Sequence, residues 1–378
     1  MESILLIKGI IILVIFALSL GIAAYETYFE RVIAAFIQDR VGPDRAGPFG
    51  MFQPLADAGK LFFKEDFVPV MADKWLFIIG PGIAMFTSLI SSAVIPFGDT
   101  LKICDLLVPI QGMDVNIGVL WVFGVVAMGV YGMLIGGWAS NNKYSLYGAI
   151  RAASQAISYE IALGLCLIAV ILVTGSLSLR EIVSLQHGMN WNVFYQPVGF
   201  ILFFVCALAE CNRTPFDLPE TEAELVTGYL TEFGSMKMGL YMFAEYVNIF
   251  VSSAIMASLC FGAYNYPGMD FVYGQLVGWF GEVAGHNVAT LLGTVVFFLK
   301  IFMFIFTFMW IRWTLPRFKY EQLMKLGWQW MVPLAVVNLI VMAVATLLEK
   351  PLLVGWIGMG GFLLVYYGGR TLYEKRFN

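Results

Sequence analysis

The sequence predicts an all-α polytopic membrane protein with about nine transmembrane helices in a single transmembrane domain spanning 1–378. Three observations carry that prediction. The chain is 60% hydrophobic and only 13% charged, with a mean hydropathy of +0.81. Apolar runs of about 20 residues, the length that crosses a hydrocarbon core as a helix, recur along it. Lys and Arg crowd into alternate connecting loops, as expected of a chain threaded back and forth through a bilayer.

The spans are expected near 4–28, 75–96, 117–139, 157–175, 197–210, 237–264, 289–313, 328–348 and 352–369. The first run is long enough to span and lacks a small-residue cleavage site, so it reads as a helix rather than a cleavable signal peptide. The fifth is short. Only Glu349, Lys350 and Pro351 separate the last two, so they are expected to be antiparallel neighbours.

One set of loops holds Arg31, Arg40, Arg45, Lys60, Lys64 and Lys74, then Lys143 and Arg151, then Arg213 and Lys237. It continues with Arg312, Arg317, Lys319 and Lys325, and ends with Arg370, Lys375 and Arg376. The other set holds only Lys8, Lys102, Arg180 and Lys350. This bias predicts an outside N-terminus and a cytoplasmic C-terminus.

The first cytoplasmic loop, 29–74, is long and rich in Gly and Pro. From about Phe49 to Lys64 it becomes amphipathic: Phe49, Phe52, Leu55, Leu61 and Phe62 alternate with Asp57, Lys60 and Lys64. An interfacial amphipathic helix lying in the membrane plane is expected there. The second cytoplasmic loop, GWASNNKYSLYGAIRAASQAISYE, has Ser, Asn and Gln suited to bonding non-helical backbone or a docked partner. The fourth mixes Arg312, Arg317 and Lys319 with Trp310, Trp313, Phe318 and Tyr320. It reads as an aromatic belt with positive-inside charges, or as a contact face for an acidic soluble partner.

The acidic cytoplasmic loop, 211–236, and its edges stand out in so apolar a chain. Within AECNRTPFDLPETEAELVTGYLTE lie Glu210, Asp217, Glu220, Glu222, Glu224 and Glu232. Asp217 can cap a helix with Glu220 as its capping-box partner, which would set Glu220 and Glu224 on one face. First-turn acids facing water would account for Asp217 and Glu220. They would not account for Glu210 at the end of an apolar run, nor for Glu160 in AISYEIALGL or Glu245 in GLYMFAEYVNIF. An ionisable group at membrane depth costs on the order of 2.5–3.5 kcal/mol on insertion scales, which makes each a functional-site candidate.

A net charge of −4 argues against nucleic acid as a partner. Cys104, Cys166, Cys206, Cys211 and Cys260 are scattered without cluster-binding spacing and read as apolar packers. His187 and His286 are expected in polar loops. No iron–sulfur cluster, haem, zinc or FMN is expected on this chain.

Several segments together resemble one family. They are ER followed by QDRVGPDRAGP and QPLADAGKLFFKE, then GWASNNKYSLYGAIRAASQAISYE, LAECNRTPFDLPETEAELVTGYLTEF with AEY, and TLPRFKYEQLMKLGW. The resemblance is to the NuoH-type membrane subunit of respiratory complex I, a proton-pumping NADH:quinone oxidoreductase, and it runs from about Tyr25 to Trp330. It implies quinone (ubiquinone or menaquinone) as substrate, bound by Arg31, Gln38, Arg40, Asp57, Ala58 and Arg213. It also implies a proton pathway of Glu160, Glu210, Asp217, Glu220, Glu222, Glu224, Glu232 and Glu245. Other complex I subunits, including the cluster-bearing and quinone-binding subunits of the peripheral arm and small membrane subunits, would be its partners in a bacterial inner membrane. The chain departs from the family at Val32, often basic, and at Asp44, where GPN is usual.

Other readings give different expectations. A stand-alone cation or proton transporter would work by itself in liposomes. A pure assembly scaffold would respond to acid-to-amide changes only in complex abundance. A membrane-bound hydrogenase subunit would share the segments but carry no quinone.

Overall fold

A computed structural model describes residues 2–103, 106–219, 226–349 and 356. Helix α1 (Glu2–Ile37) is followed by a 3-10 turn (Pro48–Gly50), α2 (Gln53–Phe63) and α3 (Lys74–Ser92). An antiparallel hairpin of β1 (Thr100–Ile103) and β2 (Leu106–Pro109) precedes α4 (Gly118–Ala139) and α5 (Lys143–Thr174). Then come α6 (Leu179–Leu185), α7 (Asn192–Tyr195), α8 (Pro197–Glu210) and α9 (Ser235–Phe261). The chain continues through α10 (Met269–Phe280), α11 (Glu282–Thr314), α12 (Tyr320–Lys325), a π-helical stretch (Leu326–Met331) and α13 (Val332–Leu347).

Seven of these segments are long and apolar enough to cross a membrane, and α8 is a shorter apolar helix. They coincide with eight of the expected spans. The expected ninth, 352–369, lies outside the described residues apart from Trp356.

Contacts sort the connecting segments into two faces. On one, the Asp73 N–H donates to Ala139 O (3.0 Å), Ser145 Oγ to Tyr229 O (3.0 Å) and Ser235 Oγ to Leu61 O (3.0 Å). Lys237 pairs there with Asp66 (2.6 Å) and Arg317 with Asp217 (3.0 Å). This is the face expected to be rich in Lys and Arg, called here the basic face. On the opposite face, Asn287 exchanges two hydrogen bonds with the Lys102 backbone (2.8 and 2.9 Å), and Arg180 reaches Asp99 (3.8 Å) and Asp114 (3.6 Å).

Several helices outrun their predicted bounds. At about 1.5 Å per residue α1 is roughly 54 Å long, well beyond a core of about 30 Å. It therefore carries Glu30 and Arg31 as helical residues, where a loop was expected. The second connection is likewise helical rather than irregular: α5 begins at Lys143, with Asn142 Oδ1 accepting from the Tyr144 N–H (2.9 Å) as its cap. Ser154 and Ser158 turn back onto Ile150 O and Ser154 O, whereas Gln155 bonds non-helical backbone as expected, its Nε2 donating to Phe216 O (2.6 Å). Lys237, counted with the loop charges although an expected span begins there, lies in the first turn of α9. His286 sits on α11 rather than in a loop, with Nε2 2.9 Å from Thr100 O. The hairpin and α10 were not anticipated from the sequence.

Close helix contacts depend on small residues, as in other membrane bundles. A Cβ on Gly132 would lie 2.8 Å from Gly80 O and 2.9 Å from the Ala84 N, and one on Gly136 would lie 2.1 Å from Tyr241 Oη. That hydroxyl donates to Gly132 O (2.9 Å), tying α9 to α4. Toward the opposite face, Lys300 within α11 donates to Phe261 O, Ala263 O and Asn265 O, each at 2.7 Å. Its ammonium also lies over the Trp191 ring, 5.0 Å from the centroid. With Gly262 and Ala263 at positive φ, Lys300 satisfies the last carbonyl of α9 and two in the turn after it, while Gln186 Nε2 and Asn192 Nδ2 donate to Ser258 O and Leu259 O. The charge tally over loops had left this lysine out.

Gly132→Ala must push α3 and α4 apart, and overpacking of this kind costs about 1–3 kcal/mol. A lowered thermal midpoint of the assembled enzyme is expected; an unchanged midpoint would contradict the packing described. Lys300→Met removes the donor from three carbonyls, at about 1–3 kcal/mol for each one left unsatisfied. Its assembled complex should accumulate to lower levels, measured by quantitative immunoblot of native gels.

Candidate functional site

The stretch after α8, from Cys211 to Pro219, is irregular yet buried throughout. Backbone without helical bonds is tolerated at such depth only where protein satisfies it. Gln155 on α5 does so: its Nε2 donates to Ala209 O (2.8 Å) and Phe216 O (2.6 Å). The Phe318 N–H donates to Pro215 O (3.2 Å). This scaffold fixes Arg213 in the interior.

Arg213, with its side chain 7% exposed, lies between two carboxylates. Its Nη1 is 3.8 Å from Glu30 Oε2 and its Nη2 is 3.8 Å from Glu245 Oε2. The guanidinium stacks over the Tyr246 ring at 4.3 Å. Tyr246 Oη donates to Glu30 Oε2 (2.9 Å), Arg312 binds Glu30 Oε1, and Tyr229 Oη donates to Glu245 Oε1 (3.1 Å). A buried charge that lost such partners would be strongly destabilising, so this is one interdependent network.

On one side of the network is a cavity of about 540 Å³ between α1, α2 and α9. Its walls include Glu30, Arg31, Arg40, Asp57, Ala58 and Tyr246. Arg31 pairs with Asp57 across it (2.8 Å). Apolar wall comes from Leu61, Met242, Phe243 and Trp313. Helix α2 is shorter than the expected 49–64, and its Leu55, Phe62 and Phe63 are exposed.

On the other side, Glu245 and Glu210 both line a cavity of about 30 Å³, room enough for ordered water. Glu210 and Glu160 then share a larger apolar cavity of about 310 Å³ bordered by Phe123, Leu163 and Leu167. Glu30, Glu245, Glu210 and Glu160 thus follow one another through shared walls and partners.

The structure sorts the residues singled out from the sequence. Arg31, Arg40, Asp57 and Ala58 meet at the large cavity. Gln38 does not line it; its Oε1 accepts from Arg40 Nε (2.8 Å). Arg213 reaches the cavity through Glu30 and Tyr246. Asp217 is paired with Arg317 near the basic face and Glu232 accepts from Asn142 Nδ2 (2.6 Å); neither lines the cavities bordered by Glu30, Glu245, Glu210 and Glu160. Glu220, Glu222 and Glu224, with the capping box expected at Asp217, lie wholly or partly outside the described residues.

Sequence reading missed Glu26, Glu30 and Tyr246, and it took Arg312 for a loop anchor. Glu26 and Glu30 are buried, at 1% and 6% exposure. The rule that singled out Glu160 and Glu245 also applies to Glu26, which sits inside an apolar run four residues before Glu30.

Comparison with known proteins points the same way. The profile of the NADH dehydrogenase family matches residues 9–343. The H subunit of NADH-quinone oxidoreductase from Flavobacterium psychrophilum is 56% identical over 343 residues, covering 91% of this chain and 98% of the relative. An H subunit of the same enzyme from Cytophaga hutchinsonii is 56% identical over 344 residues, covering 91% and 98%. One from Geobacter sulfurreducens is 44% identical over 350 residues, covering 90% and 94%. With most of its length matched at such identity, the chain belongs to the NADH dehydrogenase family and is an H-type membrane subunit of NADH-quinone oxidoreductase.

Proposed function

We propose that this subunit forms the quinone entrance and part of the quinone chamber, and that it couples quinone reduction to proton translocation through its buried carboxylates. The observation that carries the reading is that Glu30 and Tyr246 belong to both structures. They line the cavity with Arg31, Arg40, Asp57 and Ala58, and they also hold Arg213, whose second carboxylate is Glu245. The cavity wall and the start of the acid series are the same groups.

The basic face is the cytoplasmic one in this reading, with the N-terminus on the other side. Helix α2 lies along the interface, its exposed Leu55, Phe62 and Phe63 toward lipid, at the mouth through which quinone passes. Electrons arrive from cluster-bearing subunits of the peripheral arm docked on the same face. Glu232, Asp217 and the acids of 220–225 belong to the cytoplasmic end of the pathway.

Magnitudes support coupling at this distance. Unit charges about 4 Å apart interact by roughly 4 kcal/mol at an effective dielectric near 20. Glu30 lines the cavity, so a change of charge there acts on it at that order of magnitude, and Glu245 faces the same Arg213. Such groups titrate as a set, so the response passes through the network and on to Glu210 and Glu160. Arg213 faces two buried carboxylates, and the small cavity between Glu245 and Glu210 supplies a place for water to bridge them.

Glu210→Gln and Glu245→Gln keep the shape of the side chain and remove its exchangeable proton. In the assembled enzyme each is expected to lower quinone reduction and proton pumping by about tenfold or more. NADH oxidation by a hydrophilic artificial acceptor should persist. Full pumping in both variants would overturn the coupling role.

The cavity is tested separately. Arg31→Lys and Arg40→Lys preserve charge but lose the planar guanidinium. We expect a raised KM for quinone with NADH oxidation by the artificial acceptor intact. Wild-type KM in both variants would leave these residues as charge anchors only.

A further inference from the structure

Glu26 has no part in the network as described so far. It lies on α1 one turn before Glu30, on the same helix face. Neither of its carboxylate oxygens has a hydrogen-bond partner among the described residues, and the residue is 1% exposed. It is nevertheless close enough to Arg213 and Glu30 to feel both charges, and it acts in turn on the Cys211 thiol.

The network that Glu26 joins through Arg213 and Glu30 comes from four parts of the fold. Glu30 is on α1, Cys211 and Arg213 are in the irregular stretch after α8, Glu245 and Tyr246 are on α9, and Arg312 is on α11. Among the described residues these provide, with Glu26, three carboxyls and two guanidinium groups. Glu30 and Glu245 each accept a tyrosine hydroxyl and face Arg213. Glu26 is the carboxyl without such a donor. The cluster therefore has room for one more proton, and Glu26 is the member best placed to hold it. Packing does not account for the residue, because an apolar side chain would fill the same space without the penalty of a buried polar group.

We propose that Glu26 is a proton-exchanging carboxyl of this cluster, which takes up and releases the proton that balances its charge when the occupant of the Arg31–Asp57 cavity changes charge. The inference rests on reading that cavity as the quinone site. The step is a proton transfer only: the O–H bond at Glu26 breaks and an O–H bond forms on the Glu30 carboxylate, one turn on at the cavity wall, by way of a bridging water because no hydrogen bond joins the two carboxyls directly. No group on this chain is oxidised or reduced. On the reverse transfer Glu26 is reloaded through the same neighbour.

The test uses the assembled oxidoreductase in proteoliposomes with Glu26→Gln and Glu26→Asp, read beside Glu210→Gln and Glu245→Gln. The readouts are NADH-driven quinone reduction, proton pumping as a function of pH, and the infrared difference spectrum between oxidised and reduced enzyme. Glu26→Gln is expected to lose about tenfold or more of the pumping rate, to change its pH profile, and to lack one carboxyl C=O band. Glu26→Asp should keep most of the activity and shift that band. Should Glu26→Gln fail to assemble, the band shift in Glu26→Asp decides, and an unshifted spectrum overturns the proposal. Wild-type pumping and spectrum in Glu26→Gln, with Glu210→Gln and Glu245→Gln impaired, overturns the role of Glu26 alone. Wild-type behaviour in all three instead overturns the quinone-coupling reading beneath it.

Discussion

Arg213 between Glu30 and Glu245 is the constraint that the rest of the interior accommodates. A guanidinium withdrawn from water must be paid for with carboxylates and an aromatic face, and here it has both. To present it there, the chain abandons helix after Glu210 and runs irregularly from Cys211 to Pro219 inside protein. Gln155 and the Phe318 N–H then satisfy the backbone which that choice exposes. Glu30, Tyr246 and Arg312 bring α1, α9 and α11 to the same point. One buried cation thus fixes the relative positions of three long helices and the break that follows α8.

The same arrangement separates two kinds of space. The large cavity is ringed by charged groups and walled by Leu61, Met242 and Phe243, which suits a molecule with a polar head and an apolar tail. The cavity beside Glu160 and Glu210 is nearly all apolar, and it meets the rest through Glu210 and a space of water size. Electrostatic effects are strong in such surroundings because little solvent is present to screen them. The opposite face has no comparable cluster of buried acids among the described residues. Its chemistry is structural: Lys300 closes the end of α9, and Asn287 and His286 hold the β-hairpin.

The residues of the candidate site were legible to unequal degrees. Glu160, Glu210 and Glu245 stood out because charge in an apolar run is costly wherever the run folds. Arg31, Arg40, Asp57 and Ala58 came from resemblance to a family, not from periodicity, and the structure gathers them at one cavity. Glu30 and Tyr246 escaped notice because their importance is relational. A tyrosine beside a glutamate says little until a distant helix supplies the arginine, and Arg312 looked like any positive-inside charge.

Apolar run length by itself determined the class of the protein, the number of described spans and their order, since burying a helix in lipid requires about 20 apolar residues whatever the neighbours. Side-chain charge bias determined which connections share a face. Tertiary structure decided how far helices extend beyond the apolar runs: the start of α5, capped locally by Asn142, is held against distant chain by Ser145 and Gln155. It alone decided which acids act together. Glu26 and Glu30 share a helix, but Arg213 and Glu245 arrive from residues more than a hundred positions later. Contacts of such sequence separation are set by packing, and neither composition nor spacing encodes them.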